Sequence, residues 1–257
     1  MQTISFGSCL SNLTAKSLVS IFNYTQINNI AHNRSDCFVK YYVKKEEMIP
    51  HSYLENLEYA EGKEEEANNF ILNQYPSMLG KHEQEESKDL FDNLKNTNID
   101  IFILDNYLDV AAKVMLPTCL EKLKSSPIFI NSSYFTNSLD YFRFGDFLKP
   151  EESVANWKII INMLLEYQPN AFIFFLCFPY STSNDKLERK FRSQRFAELF
   201  QEIPRKQNCI VVPPFNVLPH LTKPNDWAHF DNRIYASLAG FIHYHKIELE
   251  KLFTIYK

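Results

Sequence analysis

Segments of strand length alternate with amphipathic stretches along the chain. The strand-like segments lie at residues 3–6, 25–31, 100–104, 171–178 and 209–212. The run at 100–104 is apolar on both faces, which is typical of a strand buried in a parallel sheet. Apolar residues at helical spacing predict helices directly after the first strand, over 151–167, over 185–202 and from 233 to 253.

This alternation predicts an α/β fold of three layers, in which helices flank a mostly parallel central sheet. We expect one domain that spans residues 1–257. Residues 38–98 depart from the pattern, because this stretch is rich in tyrosine and glutamate. We expect a helical insertion here, whose charge runs are solvated faces. A lid over a site and a surface for a partner are both open interpretations of it.

Polar residues follow several of the predicted strands. Ser8, Ser35 and Asn106 each come just after a strand, and Asp226 and His229 lie in the loop between the last strand and the last helix. Because function gathers at the carboxyl ends of parallel strands, these residues could converge on one edge of the sheet.

The turn at Gly7-Ser8 is the first candidate for chemistry. The first strand ends there, and helix-starting residues follow at Ser11, Asn12 and Thr14. A serine at this place is exposed at the edge of the sheet, and the amides of the next helix point toward it and could hold an oxyanion. The simpler interpretation is a turn without chemistry, since Gly-Ser is a common turn sequence.

The pair Asp226 and His229 is the second candidate. A serine hydroxyl needs a base to become a nucleophile, and the base needs a group that fixes its tautomer. On a turn that enters a helix, the three-residue spacing can place the Asp226 carboxylate beside Nδ1 of His229. Nε2 would then face Ser8. An aspartate three residues before a histidine is common by chance, so the spacing alone is weak evidence for a catalytic pair. The position of the pair directly before the last helix is stronger evidence.

Composition excludes several other functions. The 257 residues carry a formal net charge of -4, which gives no electrostatic footprint for nucleic acid, and only 5 glycines, too few for a glycine-rich phosphate loop. The five cysteines are odd in number and widely spaced, which favours free thiols in a reducing compartment. No apolar run approaches ~18 residues, and the sequence opens without a signal-peptide pattern. We therefore expect a cytoplasmic protein without an integral membrane segment.

Gly7-Ser8-Cys9 after the first strand, together with Asp226-Trp227-Ala228-His229 before the last helix, resembles the SGNH (GDSL-like) hydrolase and acyltransferase superfamily. The resemblance is nearest to divergent bacterial branches that carry Gly-Ser-Cys in the first block. It covers both ends of the chain and little of the middle. It implies a flavodoxin-like three-layer fold and a catalytic triad of Ser8, His229 and Asp226.

The resemblance also implies an oxyanion hole built from the Ser8 amide, a second-block amide and a third-block asparagine. Asn106 is the candidate asparagine. The family usually has glycine in the second block, whereas no glycine lies between Gly7 and Gly62 here, and we take the Ser35 amide as the donor instead.

Two other candidate residues have two interpretations each. Arg34 could steady an anionic or acetyl-bearing substrate, although an ion pair is the simpler interpretation, and Trp227 could line the acyl pocket or anchor its loop. Asp105 is expected to be a helix cap or a structural hydrogen-bond acceptor, and Cys9 a small buried packing residue. His243 and His245 are two residues apart on the last helix and face different sides, so no metal site is expected.

By this resemblance, the function is transfer or hydrolysis of an O-acyl group, most simply acetyl, on a carbohydrate or polysaccharide precursor, through an acyl-serine intermediate. No bound cofactor is expected, and acetyl-CoA is the acyl donor that a transferase would use. The alternative is a non-catalytic SGNH-fold module that binds carbohydrate or a protein partner. The oligomeric state is left open.

Overall fold

The structure, a computed structural model, describes residues 1–76, 78–81, 88–119, 121–181, 187–201, 208–223 and 226–255. Within these ranges the side chains of residues 181, 201, 226, 227, 250 and 252–255 lie outside the description. The strands are β1 (Gln2–Gly7), β2 (Thr25–Ala31), β3 (Ile101–Asp105), β4 (Lys113–Pro117), β5 (Phe142–Phe147), β6 (Phe172–Leu176), β7 (Tyr180–Ser181), β8 (Cys209–Val212), β9 (Asn216–Val217), β10 (Thr222–Lys223) and β11 (Asp226–Phe230).

The longest helices follow the main strands, and shorter ones fill the connections. The α-helices are α1 (Cys9–Phe22), α2 (Ser35–Phe38), α3 (His51–Leu54), α4 (Glu64–Leu72), α5 (Leu90–Asn96), α6 (Tyr107–Ala111), α7 (Ser138–Tyr141), α8 (Pro150–Tyr167), α9 (Leu187–Gln201) and α10 (Asn232–Ile255). A π-helical turn at Val39–Val43 continues α2. None of these helices, as far as the structure describes them, has the length and hydropathy needed to cross a bilayer.

Five parallel strands form the central sheet in the order β2-β1-β3-β6-β8. Numbered by their sequence within the sheet, they follow the order 2-1-3-4-5, which is the flavodoxin-like doubly wound arrangement. The order reverses between β1 and β3, and ligands bind outside the carboxyl ends of the strands at such a reversal. The predicted fold class is therefore confirmed, and Ser8 follows one of the two strands at the reversal.

Side chains of the central strands alternate between two apolar cores, one on each face of the sheet. Phe102 and Leu104 of β3 belong to one core, and Ile101 and Ile103 belong to the other. This alternation is the period-two pattern that a strand imposes. Helices α8 and α9 pack together over the first core, while α1 and α10 pack together over the second. The result is the three-layer arrangement that the sequence predicts.

A third, smaller core lies under the predicted insertion. It joins residues of the insertion to residues around the antiparallel pair of β4 and β5, a pair that the sequence pattern does not predict. Its buried members are Ile49, Leu54, Leu57, Ala67, Ile71, Met115, Ile128, Ile130, Phe135 and Phe142. Helices α3, α4 and α5 confirm that the insertion is helical in part. Its role as a lid or a partner surface stays a prediction.

The insertion also covers the outer edge of β2, which is an edge strand of the sheet. The Asn29 amide donates to the Gly80 carbonyl at 3.1 Å. The Ala31 amide donates to Asn73 Oδ1 at 3.1 Å, and Asn73 Nδ2 donates to the Asn29 carbonyl at 3.4 Å. These contacts satisfy backbone groups that an open edge would leave unpaired.

Candidate active site

Ser8 lies in the turn between β1 and α1, where the sequence places it. It is the N-cap of α1, and its Oγ accepts a hydrogen bond from the Leu10 amide at 3.1 Å. The backbone of Ser8 is extended, with φ -128° and ψ -165°, and its side chain is half-buried. A serine N-cap satisfies one of the otherwise unpaired amides of the first helical turn. The hydroxyl therefore sits at the positive end of the α1 dipole.

Asp105, the last residue of β3, holds the turn in place. Its Oδ2 accepts from the Ser8 amide at 2.8 Å, from Ser8 Oγ at 3.0 Å and from the Ser11 amide at 3.0 Å. Its Oδ1 accepts from the Tyr107 amide at 3.0 Å. Burial raises the pKa of Asp105, and these hydrogen bonds oppose the rise. The prediction that Asp105 is a structural acceptor is confirmed.

Gly7 allows this close approach of the two strand ends. Its φ is +147°, a backbone conformation that side chains disfavour. A Cβ at this position would lie 2.5 Å from both Cγ and Oδ2 of Asp105. The glycine is therefore required by contact as well as by conformation.

Asn106 reaches across the end of the sheet to Phe178, the second residue after β6. Its Oδ1 accepts from the Phe178 amide at 2.8 Å, which fixes the orientation of the side-chain amide because only the oxygen can accept. Asn106 is also the N-cap of α6, yet its side chain makes no capping bond. The side chain is buried, and its Nδ2 has no hydrogen-bond partner within the described part of the chain. A buried donor in this state calls for an explanation.

The Ser35 amide is engaged elsewhere. It donates to Asp109 Oδ1 at 2.9 Å, and Ser35 Oγ donates to Asp109 Oδ2 at 2.6 Å. Asp109 also accepts from Trp157 Nε1 at 2.9 Å and from Ser153 Oγ. Burial raises the pKa of Asp109, and the donors oppose the rise. In this arrangement Ser35 belongs to a buried structural network, and its amide does not point to a ligand.

Arg34 is likewise held inside the protein. Its guanidinium binds the Asp36 carboxylate through Nε at 2.8 Å and through Nη2 at 2.7 Å. Nη1 donates to the carbonyls of Ala112 and Asp146. The side chain is 5% exposed, so the ion-pair interpretation of Arg34 describes it better than a substrate contact does.

His229 lies on β11, which pairs antiparallel with β10 where the sequence predicts a loop. Thr222 pairs with Phe230 and Lys223 pairs with Asp226, so residues 227–229 bulge out of the pairing. The His229 side chain is half-buried, while the side chains of Asp226 and Trp227 lie outside the described residues. The triad geometry therefore stays a prediction.

Contacts nevertheless connect the end of β11 to the Ser8 edge. The buried Phe230 ring lies 5.7 Å from the Phe178 ring, and the Phe178 amide donates to Asn106. Asn106 follows Asp105, which binds Ser8. Helix α1, which Ser8 caps, also contacts β11. The two ends of the chain thus belong to one continuous set of contacts at the carboxyl end of the sheet.

His32 is a residue of this edge that the sequence pattern does not mark. It follows β2 directly, and its φ of +63° lies in the left-handed region that favours glycine. Its ring stacks on Phe70, with 3.6 Å between ring centroids and 22° between planes. Burial lowers the pKa of His32 to about 4, so the imidazole is neutral near pH 7. A left-handed residue usually shows in a sequence as a glycine. No glycine follows β2, so the sequence pattern gives no sign of this turn.

His32 should make stability depend on pH. The unfolded imidazole binds a proton near pH 6.5 and the folded one near pH 4, so the unfolding free energy should fall as pH drops through that window. The shift corresponds to roughly 3 kcal/mol at most, and partial exposure of the ring reduces this to about 2 kcal/mol. Urea unfolding at pH 7 and at pH 4 measures this. Between the two pH values, the unfolding free energy of His32→Asn should fall by about 2 kcal/mol less than that of the wild type. An equal fall in unfolding free energy in the two proteins would contradict the lowered pKa of His32.

The cysteines differ from the expectation at one position. Cys9 is exposed, where the sequence predicts that it is buried. The buried face of α1 is formed by Leu10, Ser11, Thr14, Ala15 and Leu18, and the first residue of the helix does not share that face. The five thiols form no disulfide, and all five belong to described residues. Among the described side chains, no group of three or more potential metal ligands gathers.

Comparison with known proteins gives no match by sequence, because no family model and no curated protein matches the chain. Solved structures match by fold. One is the acetyl xylan esterase Est2A from the rumen bacterium Butyrivibrio proteoclasticus, at 9% identity and TM-score 0.46, over 97% of this chain and 64% of that chain. Another is a family two carbohydrate esterase from Clostridium thermocellum, solved with cellohexaose, at 10% identity and TM-score 0.45, over 98% and 64%.

A third is a carbohydrate esterase family 3 protein from Talaromyces cellulolyticus, at 9% identity and TM-score 0.41, over 98% of each chain. The present chain spans 64% of the length of the first two structures. All three TM-scores lie below 0.5, so the fold is assigned from the strand order, and the function is inferred from the site.

Proposed function

We propose that this protein is a serine-dependent O-acyl esterase or O-acyltransferase, and that it acts on a carbohydrate through an acyl-Ser8 intermediate. Acetyl is the acyl group we favour. The proposal takes Ser8 as nucleophile, His229 as general base and then general acid, and Asp226 as the residue that orients His229. The carbohydrate and the triad follow from the sequence resemblance.

The single observation that carries the proposal is the buried Nδ2 of Asn106. This donor has no partner within the described residues, while the oxygen of the same amide is fixed by the Phe178 backbone. A donor held in place by its own second contact needs no reorganisation when charge develops nearby, which is how an oxyanion hole acts. Asn106 directly follows Asp105, which binds the Ser8 hydroxyl and amide.

The reaction has two halves. Ser8 Oγ would attack the acyl carbonyl carbon, His229 Nε2 would take the hydroxyl proton, and Asn106 Nδ2 would donate to the carbonyl oxygen as it becomes an oxyanion. Collapse breaks the bond to the leaving alcohol or thiol, which leaves with the proton from His229. Water or a sugar hydroxyl then attacks the acyl carbonyl carbon and gives its proton to His229. The bond between the acyl group and Ser8 Oγ breaks, Oγ takes that proton back, and the product is the free acid or the acylated sugar. Acetyl-CoA is the donor we propose for the transfer reaction.

Ser8 must change partners before it attacks. Its hydroxyl donates to Asp105 Oδ2 at 3.0 Å, and its amide donates to the same oxygen at 2.8 Å. Rotation of the Ser8 side chain would replace the hydrogen bond from Oγ to Asp105 with one to His229 Nε2. Catalytic contacts of this kind often form fully only when substrate binds. Because the Ser8 amide donates to Asp105, we take Asn106 Nδ2 as the principal donor to the oxyanion. Ser35 and Arg34 have no part in it.

One observation favours the non-catalytic alternative. Both donors of Ser8 are directed to Asp105, so the amide that the sequence resemblance assigns to the oxyanion hole has a structural partner. A module that kept the fold for binding a carbohydrate or a protein would tolerate this arrangement. Covalent labelling of the serine separates the two.

The proposal is tested by labelling with a fluorophosphonate, which forms a stable adduct with an activated serine. We expect mass spectrometry to place the adduct on Ser8 in the wild type. Asn106→Asp keeps an oxygen for the Phe178 amide but replaces the Nδ2 donor with a second acceptor. Its labelling rate should fall about 100-fold, the size of effect seen when one oxyanion donor is removed.

Two results would refute the proposal. The first is no adduct on Ser8 while the protein is folded by circular dichroism, which would favour the non-catalytic module. The second is an Asn106→Asp protein that labels as fast as the wild type, which would remove the observation on which the proposal depends.

A further inference from the structure

His32 and Ser8 occupy equivalent places at the end of neighbouring strands. Gly7 pairs with Ala31 in the parallel register of β1 and β2, and Ser8 and His32 are the next residues along each strand. Because parallel strands end at the same edge, both residues lie at the carboxyl end of the sheet. The mechanism proposed above gives His32 no role.

The residues before and after His32 hold its backbone in an uncommon conformation. Its φ is +63°, and the turn is fixed by Asn73 at the end of α4. Asn73 Oδ1 accepts from the Ala31 amide at 3.1 Å, and Asn33 Nδ2 donates to the Asn73 carbonyl at 3.1 Å and to the Ala31 carbonyl at 3.0 Å. A left-handed non-glycine residue persists only when its surroundings determine it in this way, and such residues cluster at functional sites.

The His32 ring belongs to a group of four aromatic rings, one of which, Tyr134, packs against the third core. Phe70 stacks on His32 at 3.6 Å, and its other neighbours are Phe129, at 5.1 Å, and Tyr134, at 5.8 Å. All four rings are half-buried. Burial keeps the imidazole neutral near pH 7, with a pKa of about 4. A neutral imidazole offers one donor and one acceptor together with a flat face.

A sugar ring matches this surface chemically. A pyranose has apolar C–H faces, which pack on flat aromatic rings, and a rim of hydroxyl groups that both donate and accept hydrogen bonds. We propose that His32 is a substrate-contacting residue, which packs against the sugar that carries the acyl group and hydrogen-bonds one of its hydroxyls. This inference rests on the proposed function and gives it a recognition element.

The test compares His32→Gly with the wild type on two substrates, p-nitrophenyl acetate and mono-O-acetylated cellobiose. Glycine suits the positive φ, so this variant removes the ring without straining the turn. We expect the ratio of kcat/KM for the disaccharide to that for p-nitrophenyl acetate to fall about tenfold, through KM for the disaccharide. The matched control is Lys45→Gly, because Lys45 also has a positive φ, of +58°, and is exposed. Its ratio should stay within twofold of the wild type.

Binding supplies a second readout. In the Ser8→Ala background, which cannot turn substrate over, His32→Gly should raise the Kd for acetylated cellobiose about tenfold by isothermal titration calorimetry. An unchanged ratio and an unchanged Kd in folded His32→Gly, or no use of the disaccharide by the wild type, would overturn the role of His32. Activity on p-nitrophenyl acetate that survives Ser8→Ala would instead overturn the proposed function, so the two failures are distinguishable.

Discussion

Replacing Ser8 with alanine is expected to lower kcat/KM for p-nitrophenyl acetate by at least about a thousandfold, because no other atom takes the place of a lost nucleophile. The fold should survive. Ser8 Oγ caps α1 through the Leu10 amide and donates to Asp105, and the loss of a serine cap costs about 1 kcal/mol. Activity is followed by release of p-nitrophenol, and folding by urea denaturation.

The matched control for this variant is Asp89→Ala. Asp89 is the N-cap of α5, where its Oδ1 accepts from the Asp92 amide at 2.9 Å. The cost in stability should be similar, about 1 kcal/mol, while activity should be retained. If Ser8→Ala loses activity and Asp89→Ala keeps it, the loss of a helix cap does not account for the difference. Ser8→Ala with wild-type activity would instead remove Ser8 from the mechanism.

Gly7→Ala should lower stability far more than the loss of either helix cap. The new Cβ would lie 2.5 Å from the Asp105 carboxyl group, at a φ of +147°. The carboxylate must move, and the amides of Ser8 and Ser11 then lose their acceptor. Each such loss costs roughly 1–3 kcal/mol, so we expect the unfolding free energy to fall by about 3–5 kcal/mol.

The control for Gly7→Ala lies in α10. A Cβ on Gly240 would meet no atom within 4 Å, so Gly240→Ala should gain up to about 1 kcal/mol from helix propensity. Urea midpoints of the two variants measure the contrast. A loss below about 1 kcal/mol in Gly7→Ala would mean that the turn adapts easily and that Asp105 does not fix the position of Ser8.

Much of the fold could be predicted from local pattern alone. The apolar run that becomes β3 and the alternating order of strands and helices are local signals, and they determine the layers and the edge at which Ser8 lies. Asp105 could also be predicted as an acceptor, because a carboxylate at the end of a buried strand must find donors. By contrast, β4 and β5 pair across a long irregular stretch of chain, and no local period marks that pairing.

The remaining parts of the site depend on contacts between distant residues. Ser35 follows a strand, as an oxyanion donor should, but its amide is taken by Asp109, 74 residues away. The left-handed turn at His32 depends on Asn73 in the insertion, and a histidine gives no sign of positive φ in a sequence. Among the described residues, Asn106 Nδ2 has no partner. This follows from the contact of the Asn106 oxygen with the Phe178 amide, which the sequence does not predict.

The contacts of the insertion with β2 have a consequence for self-association. An uncovered outer strand offers its amides and carbonyls to any other extended chain, including a second copy of the same protein. Here Gly80 and Asn73 occupy those groups at Asn29 and Ala31. A shortened chain without residues 38–98 would therefore expose a template for intermolecular sheet growth, and aggregation would be its first visible defect.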